Sequence, residues 1–237
     1  MKFENTEAFN FEGAMRGMRN PMNSHAKSDS YYGCREEGYC NKCYEDCILY
    51  KNNYIIGEND LKLAQRLIKA GNEHRKFMRQ IFISVDITAP IYWWKEFDTY
   101  KVGTTANSTS TMHKLATTPI TLECFEIDDY DRNLSLADNP KDDDGLDNIS
   151  TFEEDIIYVL ENIRQKYLET KDKRYWKELV RWLPESWLQK RTITMNYENV
   201  RNMYFQRRNH KLTEWSESFI KWVETLPYAK ELIMYED

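Results

Sequence analysis

Two groups of residues have the types and spacing to do chemistry. The first lies in Leu183–Trp215, which opens on Leu183-Pro184, runs through a β-prone Arg191–Met195 and turns at Asn196 into a helix-like segment. Asn196, Asn199 and Asn202 interleave there with Arg201, Arg207 and Arg208, beside Tyr197, Tyr204 and Phe205. An asparagine amide both donates and accepts, and an arginine presents a rigid planar fork to phosphates and carbonyls. A helix carrying both beside aromatic rings can read a flat, polar ligand. The bland alternative is an amphipathic helix with a solvated charged face.

The second group is Cys34, Cys40, Cys43 and Cys47, spaced C-x5-C-x2-C-x3-C. A C-x2-C step lets two thiolates grip one metal from a tight turn, and four sulfurs complete a tetrahedral zinc site. The same ligands can hold an iron–sulfur cluster. Two disulfides are the remaining reading, disfavoured in a reducing cytosol. The cysteines mark residues 31–55 as a small insertion on the main fold.

The elements that must position these groups follow from periodicity. Asn59-Asp60 offers a helix cap, with Leu61, Ala64, Leu67 and Ile68 on one face and Gly71 as the stop. Ile81, Ile83, Val85 and Ile87 alternate with Phe82, Ser84 and Asp86, the pattern of a half-buried strand ended by Ala89-Pro90. Ile91–Phe97 reads as a short aromatic helix, and Asp98–Leu115 as a polar loop rich in hydroxyls. Residues 125–150 read as an acidic mobile loop without calcium-loop spacing. Phe152, Ile156, Val159, Leu160, Ile163 and Tyr167 mark a helix with one buried face, and a second covers Tyr175–Leu183. Leu212, Trp215, Phe219, Trp222 and Leu226 outline a final amphipathic helix. Residues 1–30 read as loop and short turns, with Arg16 and Arg19 able to meet an anion.

Composition bounds the rest. The 237-residue chain, 41% hydrophobic and 14% aromatic, is long enough for one globular domain spanning 1–237. A net charge of −6 argues against a general grip on nucleic acid, while leaving room for a local basic pocket. The sequence contains no apolar run long enough to span a membrane. Its first residues carry acids and lack the apolar core of a signal peptide, so a cytoplasmic location is expected.

The order of helix, Gly71, strand to Ala89-Pro90, hydroxyl-rich loop, long helices, then Leu-Pro, strand and Asn/Arg helix resembles the flavin-dependent thymidylate synthases. The likeness covers roughly residues 60–225 and leaves out the acidic loop and the cysteines. In that family Leu-Pro precedes Thr-x-Asn, a further Asn and an Arg; here Leu183-Pro184, Thr194, Asn196, Asn202 and Arg207 fall at those distances without a gap. The family's Ala-Pro strand and short helix lead to a loop that begins Arg-His-Arg. Thr99, Tyr100 and Lys101 stand at those positions here, followed by Ser108 and Ser110.

The resemblance implies an α+β fold of mixed helices with a small antiparallel sheet, assembled as a homotetramer. It implies FAD in the active site, a pyrimidine deoxynucleotide beside it, and NADPH and methylenetetrahydrofolate as co-substrates. Asn196, Asn202, Thr99, Tyr100 and Lys101 become the cofactor contacts. Lys101, Ser108, Ser110, Arg181 and Arg207 become the nucleotide contacts, with Arg207 placed on the pyrimidine ring as the catalytic arginine. An arginine there stabilises negative charge as the ring is activated. The implied activity is conversion of dUMP to dTMP or a related one-carbon modification. The changed loop also keeps open a non-catalytic nucleotide-binding descendant of the fold. The cysteine cluster offers a third reading, as a metal-dependent interaction or redox module. The compact size and altered loop suit a phage-borne protein.

Overall fold

The computed structural model describes residues 1–33, 53–134 and 149–236. Cys34, Cys40, Cys43 and Cys47 lie outside the described residues, as does most of the acidic loop. Along the described chain the elements are β1 (Lys2–Phe9), α1 (Phe11–Arg19), β2 (Tyr31–Tyr32), β3 (Tyr54–Ile55), α2 (Glu58–Lys69) and β4 (Phe82–Pro90). Then come α3 (Ile91–Phe97), β5 (Thr105–Ser108), α4 (Thr111–Lys114), α5 (Ile149–Thr170), α6 (Lys173–Trp182), β6 (Leu188–Asn196) and α7 (Tyr197–Arg207). A π-helical turn (Glu214–Phe219), α8 (Ile220–Glu224) and a second π-helical turn (Ala229–Ile233) finish the chain. Strands β1, β4, β6 and β5 form one sheet in that order, and β2 pairs antiparallel with β3.

The residues divide into two compact units. One consists of Met1–Phe3, Asp86–Thr99 and Asn107–Thr192, the other of Glu4–Val85, Tyr100–Ala106 and Ile193–Asp237.

In the first unit α3 starts directly after Pro90, and its Trp93, Trp94 and Phe97 are buried. Its opening amides are taken up by the chain after Leu183-Pro184: Ile91 N donates to Trp187 O (3.1 Å) and Tyr92 N to Glu185 O (3.1 Å). Helices α5 and α6 pack together across a turn at Lys171, where Asp172 caps α6 by accepting from Arg174 N (2.9 Å). Leu115, Ala116, Ile120, Phe125, Leu160 and Leu179 form the core between them and the preceding segment. The predicted apolar stripe on α5 needs correction: Phe152 and Val159 are 49% and 52% exposed, and the buried row passes through Leu160 and Arg164. Arg164 is held by Glu161 (2.6 Å) and donates to Ala116 O (3.2 Å), so a paired cation sits where periodicity counts only apolar residues. The hydroxyl-rich stretch Asp98–Leu115 also carries more order than a loop, containing α4 and β5.

The second unit takes up the chain at Glu4, and the stretch up to Arg19 is strand and helix where turns are predicted. The strand KFENTEAF is polar and mostly exposed, so it lacks the alternation that signals burial. Helix α1 contains Gly13 and Gly17, both poor helix formers. At Gly17 the Gln80 side-chain amide packs so close that it would have to move aside for a Cβ. Helix α2 begins earlier than Asn59-Asp60 predicts. Its cap comes from a distant residue: Asp29 accepts from Asn59 N (2.8 Å) and Asp60 N (3.1 Å). Asp60 turns inward instead, fully buried, and takes Arg19 Nε (2.5 Å), Ser28 Oγ (2.6 Å) and Ser30 Oγ (2.5 Å). Burial opposes its charge, but the two serines and Arg19 more than offset this and hold its carboxyl below the usual range. Arg19 is therefore a core residue rather than a free anion contact. Ile81, just before β4, and Ile83 and Val85 on it are fully buried, as the alternation predicts. The last predicted helix is interrupted, because Trp215 and Phe219 occupy a π-helical turn before α8.

Candidate functional site

Helix α7 starts where Asn196 leaves β6, and the two asparagines at its start are committed to capping. Asn196 Oδ1 accepts from Asn199 N (3.0 Å), and Asn199 Oδ1 accepts from Asn196 N (3.2 Å). This reciprocal arrangement satisfies two amides that a helix start would otherwise leave without partners. One face of α7 buries Tyr197, Val200 and Met203. Burial pushes the Tyr197 phenol far up, and its hydroxyl donates to Pro227 O (2.6 Å). Glu198 is buried against Arg75 (3.0 Å).

The segment Tyr100–Ala106 lies against this helix at both ends. Near the cap, Asn199 Nδ2 donates to Val102 O (2.7 Å). Gly103 sits at φ +81, and a Cβ there would come within 2.9 Å of both Asn196 Nδ2 and Asn199 Oδ1. Only glycine combines that backbone conformation with so close an approach. At the other end, Arg207 Nε donates to the Tyr100 hydroxyl (2.8 Å), which donates in turn to Gln206 Oε1 (2.8 Å). The Arg207 guanidinium lies 5.5 Å from the Tyr100 ring centroid and 5.1 Å from that of Trp215. Two aromatic faces and a hydroxyl thus fix its position. Asn202 lies between cap and arginine, half-buried, with no side-chain hydrogen bond among the described residues.

The other two arginines of this helix have structural work. Arg201 donates to Ile233 O (2.7 Å) and Tyr235 O (2.8 Å) and stacks on Phe205 (4.6 Å), clamping the chain end. Arg208 pairs with Glu236 (3.0 Å).

Of the residues assigned from sequence, Tyr100, Lys101, Asn196, Asn202 and Arg207 fall in this unit, and Tyr100 and Arg207 are in direct contact. Lys101 is exposed. Thr99, Ser108, Ser110 and Arg181 belong to the other unit. There Thr99 Oγ1 donates to Glu96 O (2.7 Å), Ser110 caps α4 and meets His113 Nδ1 (2.9 Å), and Arg181 pairs with Glu178. Ser108 lies exposed on β5. Asn199, Gly103, Gln206 and Trp215 complete the arrangement without having been assigned. The lone Gly103 and the i,i+3 pair Asn196/Asn199 were the signals available for two of them. Among the described residues no group of three or more His, Cys, Asp or Glu is placed to hold a metal, and no helix is long and apolar enough to cross a membrane.

No family model matches the chain, and no curated protein does. Solved structures do. A flavin-dependent thymidylate synthase from Helicobacter pylori, complexed with FAD and dUMP, superposes with a TM-score of 0.63 at 16% identity, covering 98% of both chains. A second structure of the Helicobacter pylori enzyme with FAD and dUMP gives 0.62 at 17% identity, over 98% of this chain and 97% of that one. A UMP/dUMP methylase from Streptomyces cacaoi, bound with 5-bromo-UMP, gives 0.53 at 16% identity, over 75% and 83%. The α+β architecture of helices around a small antiparallel sheet is therefore that of the flavin-dependent thymidylate synthases.

Proposed function

We propose that the protein is a divergent flavin-dependent enzyme that modifies the base of a pyrimidine nucleotide, with dUMP as the leading substrate. The observation that carries this is Arg207, held between Tyr100 and Trp215 at the end of the helix whose Asn196, Asn202 and Arg207 keep the family spacing. The two kinds of enzyme sharing the fold were solved with dUMP or 5-bromo-UMP, which supports a pyrimidine nucleotide here.

The donor set fits flat heterocycles with carbonyl edges. Asn202 has an uncommitted amide, and a guanidinium fixed by aromatic faces is pre-oriented for a ring carbonyl. Asn196 spends its oxygen on the cap, which leaves its Nδ2 group as the donor available to a cofactor. FAD, when bound and reduced, supplies a hydride. Arg207 binds the pyrimidine and stabilises the negative charge that develops on its carbonyl as the ring is attacked. Asn202 and Asn196 would hold the flavin through their side-chain amides. Methylenetetrahydrofolate as one-carbon donor, NADPH as reductant and a homotetramer that completes the sites belong to the same reading.

Turnover of dUMP with methylenetetrahydrofolate, NADPH and FAD tests it. Formation of dTMP or another C5-modified nucleotide is the expected result. A second reading, a non-catalytic nucleotide binder, is favoured by Thr99-Tyr100-Lys101, where two of the three charged or ionisable family side chains are absent. Tight dUMP binding without turnover selects that reading.

A further inference from the structure

A cleft in the second unit shares none of its lining residues with the Arg207 site. It has a volume of about 730 Å³ and is walled by α2, by the segment around Lys27 and by Tyr235 near the chain end. Arg19, Lys27, Lys62, Arg66 and Lys69 line it, and among the described residues no carboxylate does. That concentration of one sign stands out in a chain of net charge −6.

These cations differ in what they have left to give. Arg19 is spent, because Asp60 neutralises it and its remaining donors go to Ser24 O (3.2 Å) and Lys27 O (3.0 Å). It serves as a rigid wall. Lys62 pairs with Glu58 one turn back on α2 (2.5 Å). Lys69 lies over the Tyr235 ring (5.5 Å from its centroid), and the backbone of Tyr235 is pinned by Arg201 (2.8 Å). Lys27 and Arg66 are exposed and have no ion-pair partner among the described residues. The Asn59 and Gln65 amides add neutral polar groups to the same walls.

We propose that this cleft is a second ligand site, separate from the Arg207 site, for an anion carrying a diphosphate group, of the nucleoside di- or triphosphate class. Two uncompensated cations from different segments match adjacent phosphates better than a single one. The volume lies in the range of small-molecule sites and exceeds what one phosphate needs. A long nucleic acid is a poor fit, because the net negative charge of the chain opposes a polyanion. Occupancy brings together α2, the Lys27 segment and the chain end that α7 clamps, so the ligand stabilises the fold by linkage.

Calorimetry on the full chain tests this with inorganic pyrophosphate and with dTTP, each repeated in the presence of FAD and of dUMP. Both anions should bind, more weakly as salt rises. Arg66→Glu and Lys27→Glu should each weaken them about tenfold or more. Both positions are exposed, so unchanged thermal melting of the free variants should accompany that loss. Arg207→Ala should leave pyrophosphate binding intact, which separates this site from the proposed catalytic one. The proposal is overturned if neither anion binds, if binding survives both charge reversals, or if FAD or dUMP displaces pyrophosphate.

Discussion

The Tyr100 hydroxyl accepts a 2.8 Å hydrogen bond from Arg207 Nε while its ring lies beside the same guanidinium. A residue assigned to the cofactor from its place in sequence thus acts on the arginine assigned to the substrate. Tyr100 is a positioning residue for Arg207, and Gln206 Oε1 fixes the hydroxyl by accepting its hydrogen bond (2.8 Å).

Tyr100→Phe keeps the ring and removes only the hydroxyl. Since a hydrogen bond to a charged group contributes about 1.5–3 kcal/mol, dUMP affinity should fall by about 10- to 150-fold. Calorimetry with dUMP checks this, with circular dichroism to show that folding is unchanged. Unaltered affinity means that the two rings alone fix the arginine.

Gly103→Ala should be costly for so small a change. It places a Cβ at φ +81 and against both capping amides. The expected loss is at least about 1 kcal/mol of stability. Asn196→Ala, which removes the cap itself, should cost about 0.5–2 kcal/mol. If the added methyl acts by breaking the cap, the double variant will cost less than the sum of the singles, which denaturant titration resolves.

Asp60→Asn should be among the most damaging single substitutions in the second unit. It leaves the Arg19 cation buried (4% exposed) without its counter-charge. Removing one partner of a buried ion pair costs about 3–5 kcal/mol. Urea unfolding at neutral pH provides the measurement.

Acid should act on the first unit through Glu161. Hydrogen bonds from Arg164 hold its carboxyl down at about 2, against burial, with help from Ile120 N (2.8 Å). A depressed folded value stabilises the protein above the unfolded value, about 4.3, and that contribution is lost as pH falls through about 2. Glu161→Gln should therefore destabilise at pH 7 by about 1.5–3 kcal/mol. The gap between variant and wild type should close as pH falls from about 4 toward 2.

What the sequence made legible follows from how local each signal is. The β4 strand was readable because Ile81, Ile83, Val85 and Ile87 alternate strictly, and α7 because a β-prone run turns at Asn196 into a helix-like segment. Strand β1 was not, since its residues are polar and its partner β4 lies some eighty positions away in sequence. The roles of Arg19, Arg164 and Arg201 were hidden for a related reason: each cation is buried or clamped by partners that only the fold brings close. At the site itself, spacing picked out Asn196 and Arg207, but not that the first is a helix cap. Nor could it reveal that Trp215, in a π-helical turn, supplies an aromatic face for the second.

The visible spectrum of the purified, FAD-supplemented protein, recorded while dUMP is titrated in, tests the central claim most directly. The account predicts a yellow protein whose flavin bands shift on adding dUMP, and an Arg207→Ala variant that keeps the flavin and loses the shift. A protein that stays colourless after incubation with FAD, or a dUMP response that Arg207→Ala leaves intact, would contradict it.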